Sequence, residues 1–145
     1  MKIRQLARHE LQADLLRPDR PWLLALCLRL QDLPHHPYSR VLIAEEEGQP
    51  RALLGLRLRW GDNGRLMKAT ICVLGVDPEH SRRGIASRLV RFAEGIARIN
   101  GCSRVDVAPD LEGWEDGRCW TGLGYDGTDT GLQKVLGSPV GPASA

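Results

Sequence analysis

The sequence predicts a single mixed α/β (α+β) domain, with a mostly antiparallel central sheet, flanking helices and one parallel β-α-β crossover. Three observations carry this. Met67 to Val76, "MKATICVLGV", shows little polar alternation and reads as a central strand buried on both faces. Gly84 to Ile99 repeats apolar residues at helical spacing. Shorter apolar runs bounded by turn residues lie on both sides of this pair.

Lys2 to Leu6 predicts a short first strand, and Ala7 to Leu16 a helical segment that stops at Arg17-Pro18. Pro21 opens a second helix through Leu30, a position where its missing N–H costs nothing. Leu33 to Ser39, containing "PHHPY", is a loop. Val41 to Ala44 predicts a strand ending in Glu45-Glu46-Glu47-Gly48. Ala52 to Trp60 predicts the next, its leucines alternating with Arg57 and Arg59 so that one face is exposed. "GDNG", 61–64, is a hairpin turn.

In the long helix, Ile85, Leu89, Phe92, Ile96 and Ile99 define one face, and Glu94 with Arg98 an i,i+4 pair away from it. Asn100-Gly101 is its stop. Arg104 to Ala108 predicts a strand parallel to Met67–Val76 across the crossover. Trp114 to Leu123 contains a short helix, and Tyr125 onward with Leu132 to Leu136 forms a closing pair of strands. The domain is expected over 1–136, with 137–145, "GSPVGPASA", as a flexible tail.

A chain of 145 residues with 42% hydrophobic content can build one real core. The 26% charged content and net charge of +2 argue against a disordered chain and against a dedicated nucleic-acid binder, which clusters Lys and Arg. Cys27, Cys72, Cys102 and Cys119 never stand at C-x-x-C spacing, so no metal site is expected; reduced, mostly buried thiols are. No apolar leader follows Met1, and no run approaches the ~18 residues of a membrane span. These observations predict a cytoplasmic protein without a membrane partner.

The junction between the central strand and the long helix is "GVDPEHSRRGIASRLVRF", Gly75 to Phe92. A helix N-terminus presents N–H groups without intrahelical partners, and its dipole favours an anion. Gly84 leaves the backbone approachable, Ala86 keeps the next turn slim, and Arg82 and Arg83 add positive charge. These residues suit a phosphate or pyrophosphate. A tight turn with solvated arginines satisfies the same residues, and both readings stand at this point.

"VDPEHSRRGIASRLV" resembles the acyl-CoA signature of the GNAT superfamily of N-acyltransferases, V-x-P followed by Q/R-x-x-G-x-G/A at the start of the long helix. The motif falls on Ser81 to Ala86; Gly84 and Ala86 match, and Ser81 replaces the usual Gln or Arg. The element order agrees from Lys2 to Leu136, and "CWTGLGYDG" resembles the family's Y-x-x-L-G-F segment through Leu123-Gly124-Tyr125.

The resemblance implies a GNAT-like fold with acetyl-CoA as cosubstrate, no metal, and a small-molecule or peptide amine as acceptor; it is compatible with a homodimer. It implies that Leu74, Gly75 and Val76 hold pantetheine at the strand end. Arg82, Arg83, Gly84, Ile85, Ala86 and Ser87 would form the pyrophosphate loop. The strand would carry a bulge and splay from its neighbour to open the cleft. Gly75 fits a bulge or close ligand, being otherwise unfavourable inside a strand.

Trp120 stands where many relatives have the tyrosine that protonates the leaving thiolate, and an indole N–H is no acid near neutral pH. Trp120 would then pack against pantetheine or adenine, or sit in the core. Gly113 occupies a position where many relatives place a cofactor-contacting asparagine. Some relatives carry a glutamate base on the central strand; the matching residue is Thr70. Glu46, within the acidic run 45–47, and Tyr38 are the catalytic candidates, with His80 a further residue beside the loop. His35 and His36 precede the second strand, where the family's acceptor site often lies. "GLGYDG", 122–127, fits G-x-G-x-x-G but leaves a helix for a strand, the reverse of a dinucleotide fold. The expected activity is acetyl transfer to a primary amine. The alternative is a module that binds acyl-CoA without turnover.

Overall fold

The structure is a computed structural model that describes residues 1–6, 21–30, 38–60, 66–80, 84–111, 118–129 and 131–136. Helical character over 7–16, the 61–64 turn and the tail from 137 lie outside these residues. The elements are β1 Lys2–Gln5, α1 Pro21–Leu30, β2 Ser39–Glu46, β3 Gln49–Trp60, β4 Leu66–Val76, α2 Ile85–Ile99, β5 Arg104–Val107, α3 Arg118–Gly122, β6 Asp126–Thr128 and β7 Gly131–Val135. Short 3-10 turns at Pro78–His80 and Pro109–Leu111 follow β4 and β5. No helix among the described residues is long and apolar enough to cross a membrane.

The seven strands form one sheet in the order β1-β2-β3-β4-β5-β7-β6. Among the described strands only β4 and β5 are parallel, joined across α2 as the crossover requires. The β2–β3 hairpin is tighter than the sequence suggests. Glu45 and Glu46 belong to β2, β3 begins at Gln49, and the turn is Glu47-Gly48, both at positive φ. The closing strands do not stand side by side with β5 in chain order: β7 pairs with β5, and β6 takes the exposed edge.

Each face of the sheet has its own core. Leu54, Leu56, Ile71 and Leu74 meet α2, together with Trp120 and Tyr125. Val41, Ile43, Leu53 and Val73 meet Leu23, Leu26 and Leu30 of α1. Residues 52–56 of β3 are buried on both faces, and exposure begins only around Arg57 and Arg59.

The buried stripe of α2 differs from the expected one. Ile85, Leu89 and Ile96 are buried, but Phe92 is 40% and Ile99 86% exposed. The stripe centres on Ala93, flanked by Ala86, Val90 and Ala97. Small residues let the helix backbone lie close to the sheet, so the densest contact is not where the bulkiest side chains are. Glu94 is likewise no surface partner of Arg98. It is 2% exposed and accepts hydrogen bonds from the Tyr125 hydroxyl at 2.9 Å and from Lys134 Nζ at 3.1 Å. A buried carboxylate needs both a counter-charge and donors, and β7 and the residue before β6 supply them.

Candidate acyl-donor cleft

The bulge expected in the central strand is at Cys72. Gly55 pairs with Val73 but the next residue, Leu56, pairs with Ile71, leaving Cys72 as the extra residue of β4. The bulge turns over the face of everything after it. Ile71 packs with α2, whereas Val73, two residues on, packs with α1. This explains why "ATICVLGV" lacks alternation.

At the same point β4 parts from β5. The parallel pairing runs from Lys68 opposite Arg104 to Ile71 opposite Val107, and the Ala108 N–H donates to the Ile71 carbonyl at 2.9 Å. Beyond it β5 turns away into Pro109–Leu111, while β4 continues to Val76 on β3 alone. The Asp77 N–H donates to the Arg51 carbonyl at 2.7 Å, so Asp77 and, by alternation, Gly75 and Val73 direct their backbone groups to β3. Leu74 and Val76 direct theirs into the split. That row of peptide groups can pair with an extended amide-bearing chain.

Gly75 has a different role from the one expected. A Cβ built there would lie 2.3 Å from Leu26 Cδ1, so the glycine lets α1 seat on the sheet. Its polar groups are turned to β3, which leaves Leu74 and Val76 as the residues that present backbone to the cleft.

The split points toward the start of α2. Gly84 caps this helix with φ +76, a left-handed conformation that favours glycine, and as a glycine it offers the first turn no side-chain hydrogen bond. Among the described residues a Cβ at Gly84 would meet nothing within 4 Å. The Ile85 and Ala86 side chains are buried and Ser87 is half-buried; what these residues offer an anion is the N–H groups of the first turn. Arg82 and Arg83 lie outside the described residues, as do His35, His36 and Gly113.

Beside this opening Asp77 is 8% exposed. Its carboxylate accepts the Glu79 N–H at 3.0 Å and lies 3.3 Å from His80 Nδ1 and 3.5 Å from the Arg51 guanidinium. Asp77, Glu79 and His80 thus bring three ligand-type atoms within 4.8 Å, although none was expected to bind metal. The adjoining Arg51 opposes a cation there, and Asp77 is engaged in shaping the turn into the loop.

Trp120 is corrected to a core residue. It is 0% exposed, its indole N–H donates to the Leu111 carbonyl at 2.7 Å, and its ring meets Tyr125 edge-on at 5.4 Å. It has no surface for pantetheine or adenine. Tyr125 offers no replacement acid: burial first, then the neighbouring Glu94 carboxylate, push its phenol well above the ordinary value of 10.0.

Tyr38 just precedes β2 and Glu46 ends it, about 26 Å of strand apart, so they cannot serve one reacting centre together. Glu46 lies 3.9 Å from Arg51, at the phosphate-loop end. Glu45 accepts from Arg4 at 2.6 Å. Tyr38 packs edge-on against Trp60 on the α2 side of the sheet.

The polar residues that do surround the apex of the split, on the α1 face, are ones the motif search passed over. Thr70 pairs with Asp106, and Lys68 Nζ lies 3.2 Å from Asp106 Oδ2. Cys72 is half-buried at the bulge, its thiol donating to the Thr70 carbonyl at 3.5 Å. Burial pushes this thiol up, and the Arg57 and Arg59 guanidiniums pull it back. Alternation alone could have put Arg57, Lys68, Thr70 and Asp106 on one face; their meeting at an apex needed the pairing of β4 with β5.

Comparison with known proteins gives this geometry a family. A family profile, Acetyltransferase (GNAT) family, matches residues 4–127. No curated protein sequence matches the chain. Aminoglycoside N-acetyltransferase AAC(6')-Iy in complex with CoA superposes with a TM-score of 0.67 at 18% identity, over 93% of this chain and 96% of that one. Aminoglycoside 6'-N-acetyltransferase AAC(6')-IG from Acinetobacter haemolyticus does so at 0.66 and 23%, over 94% and 95%. Ribosomal-protein-alanine N-acetyltransferase from Brucella melitensis biovar Abortus 2308 does so at 0.63 and 18%, over 81% and 86%. At these identities the neighbours establish the fold, and the profile, which spans most of the chain, establishes the family: the chain belongs to the GNAT acetyltransferases.

Proposed function

We propose that this chain, acting as one domain over 1–136, transfers an acetyl group from acetyl-CoA to a primary amine. The observation that carries the reading is the parting of β4 from β5 after Ile71. Among the described residues it leaves the Leu74 and Val76 peptide groups without a strand partner on the side that leads to the start of α2 at Gly84. The two halves match an amide-bearing pantetheine and a pyrophosphate in order and in chemistry. Bound there, acetyl-CoA would supply the thioester.

The remaining chemistry belongs to the chain and to water. The amine arrives neutral and its nitrogen bonds to the acyl carbon as the carbon–sulfur bond breaks. One proton leaves the nitrogen and one proton restores the thiol. The apex holds one described carboxylate, Asp106, already paired with Lys68, and the phenol of Tyr125 is locked in the core. The amine proton is therefore assigned to water entering the split, and the thiolate, a fair leaving group, needs no tyrosine. The buried Trp120 favours a second reading, an acyl-CoA binder without turnover.

Titration calorimetry with acetyl-CoA, with ATP as control, followed by an amine screen for CoA release, tests both. Micromolar binding of acetyl-CoA but not ATP, with turnover, supports transfer. Tight binding with no turnover favours the binder. No binding at millimolar acetyl-CoA overturns both.

A further inference from the structure

The α1 face of the sheet has two unlike halves. Over β2, the start of β3 and the part of β4 beyond the bulge it is apolar and covered by α1. Toward β5 it carries two rows of polar side chains across β3, β4 and β5. One row is Arg57, Thr70 and Asp106; the next is Arg59, Lys68 and Arg104. Strands stand about 4.8 Å apart and residues two along a strand about 7 Å, so all six fit within the footprint of a small molecule. Their place is the apex of the split. The opposite face at this level is filled by Ala69, Ile71 and α2, so among the described residues the polar groups that can meet an acceptor at the end of the cleft are these.

These six residues include four cations and one carboxylate, a local net charge of +3 in a chain whose total is +2. Asp106 is shared between Lys68 at 3.2 Å and Arg104 at 3.2 Å, the latter close enough for charge pairing but not aligned for a hydrogen bond. Among the described residues no carboxylate pairs with Arg57 or Arg59, and the buried Arg57 Nε has no hydrogen-bond partner. A buried guanidinium donor without an acceptor is costly unless a ligand oxygen meets it. Of the nearby described acids on the α1 side, Asp110 in the turn after β5 is already paired with Arg29 of α1, and Asp126 is exposed on the far edge strand.

Resting on the acetyl-transfer reading, we infer that the acceptor amine carries an anionic group, a carboxylate or a phosphate, held by Arg57, Arg59 and Lys68 while its amino group enters the split beside Thr70. A polycation such as an aminoglycoside meets like charge on this face. This sets the chain apart from those structural neighbours whose names give aminoglycosides as substrates.

The test uses the whole chain with acetyl-CoA and four amines: ethanolamine, phosphoethanolamine, glutamate and kanamycin. Acetyl-CoA affinity is measured separately by calorimetry. The expected result is a KM for phosphoethanolamine or glutamate at least about 10-fold below that of ethanolamine, with the advantage shrinking as salt rises. Which of the two leads distinguishes phosphate from carboxylate. Arg57→Gln, and independently the exposed Arg59→Gln, should raise that KM with little change in kcat, leaving acetyl-CoA affinity intact. Equal or better turnover of ethanolamine or kanamycin overturns the inference. So does absence of turnover with both anionic amines in a protein that binds acetyl-CoA, which leaves the cofactor reading standing. Failure to bind acetyl-CoA overturns the reading beneath it.

Discussion

The two halves of β4 both send apolar side chains into the core and behave differently. From Lys68 to Ile71 the strand is paired on both sides, to β3 and to β5. From Cys72 to Val76 it is paired to β3 alone. Hydrophobicity does not separate the halves, since Ile71 and Leu74 are both buried. What separates them is one extra residue, Cys72, and a neighbour that turns away at Ala108. The first half holds the sheet together. The second half keeps its side chains in the core and its peptide groups available, and so can serve a ligand without losing the core beneath it.

The largest expected effect breaks the paired half. Ile71→Ala should destabilise the protein by about 2–5 kcal/mol, because the site is walled by sheet and helix and cannot collapse; urea unfolding measures it. Gly75→Ala probes the half-open part from its α1 side. Its Cβ would overlap Leu26, and overpacking of this kind costs about 1–3 kcal/mol. Combined with Leu26→Ala the loss should be clearly less than the sum of the two single losses; strict additivity would show that Gly75 has another role.

Gly84→Asp tests the ligand side. It should fold, since the position opens to solvent, though the left-handed φ costs a side chain ~1–2 kcal/mol. Acetyl-CoA affinity should fall at least tenfold, or about 1.4 kcal/mol. Gly84→Asn, which tolerates this backbone and adds no charge, should retain more of it. Equal affinity for glycine and aspartate variants would detach the helix start from the site.

The smallest effect concerns pH. The Tyr125 phenol is raised above 10.0 in the folded chain, so it favours the fold fully below that value. As pH rises further, the unfolded chain ionises and the folded one resists, and stability falls by at most about 1.4 kcal/mol per pH unit. Tyr125→Phe should flatten that slope in urea midpoints taken from about pH 8 to 11.

Most elements were legible in the sequence because hydrophobic period and turn residues are local signals. The β4–α2–β5 crossover, Pro21 at the start of α1 and the Asn100-Gly101 stop all lie where their residue types require. The glycine motif located the start of α2 for the same reason. Glu94 was misplaced because its partners, Tyr125 and Lys134, are 31 and 40 residues away in the chain. Phe92 and Ile99 were misplaced because bulk was weighed above closeness of approach. The residue type of Trp120 suits cofactor or core alike, and the Leu111 carbonyl that accepts its N–H places it in the core.

The sequence by itself determined the fold class, the family resemblance and the anion-ready helix start, since these depend on residue types at short fixed spacings. Only the tertiary structure decided that Leu74 and Val76 face the cleft while Gly75 faces a helix. It alone placed four cations around one carboxylate at the apex. Both outcomes depend on the register between strands distant in the chain, and a one-residue bulge at Cys72 reverses every face that follows it.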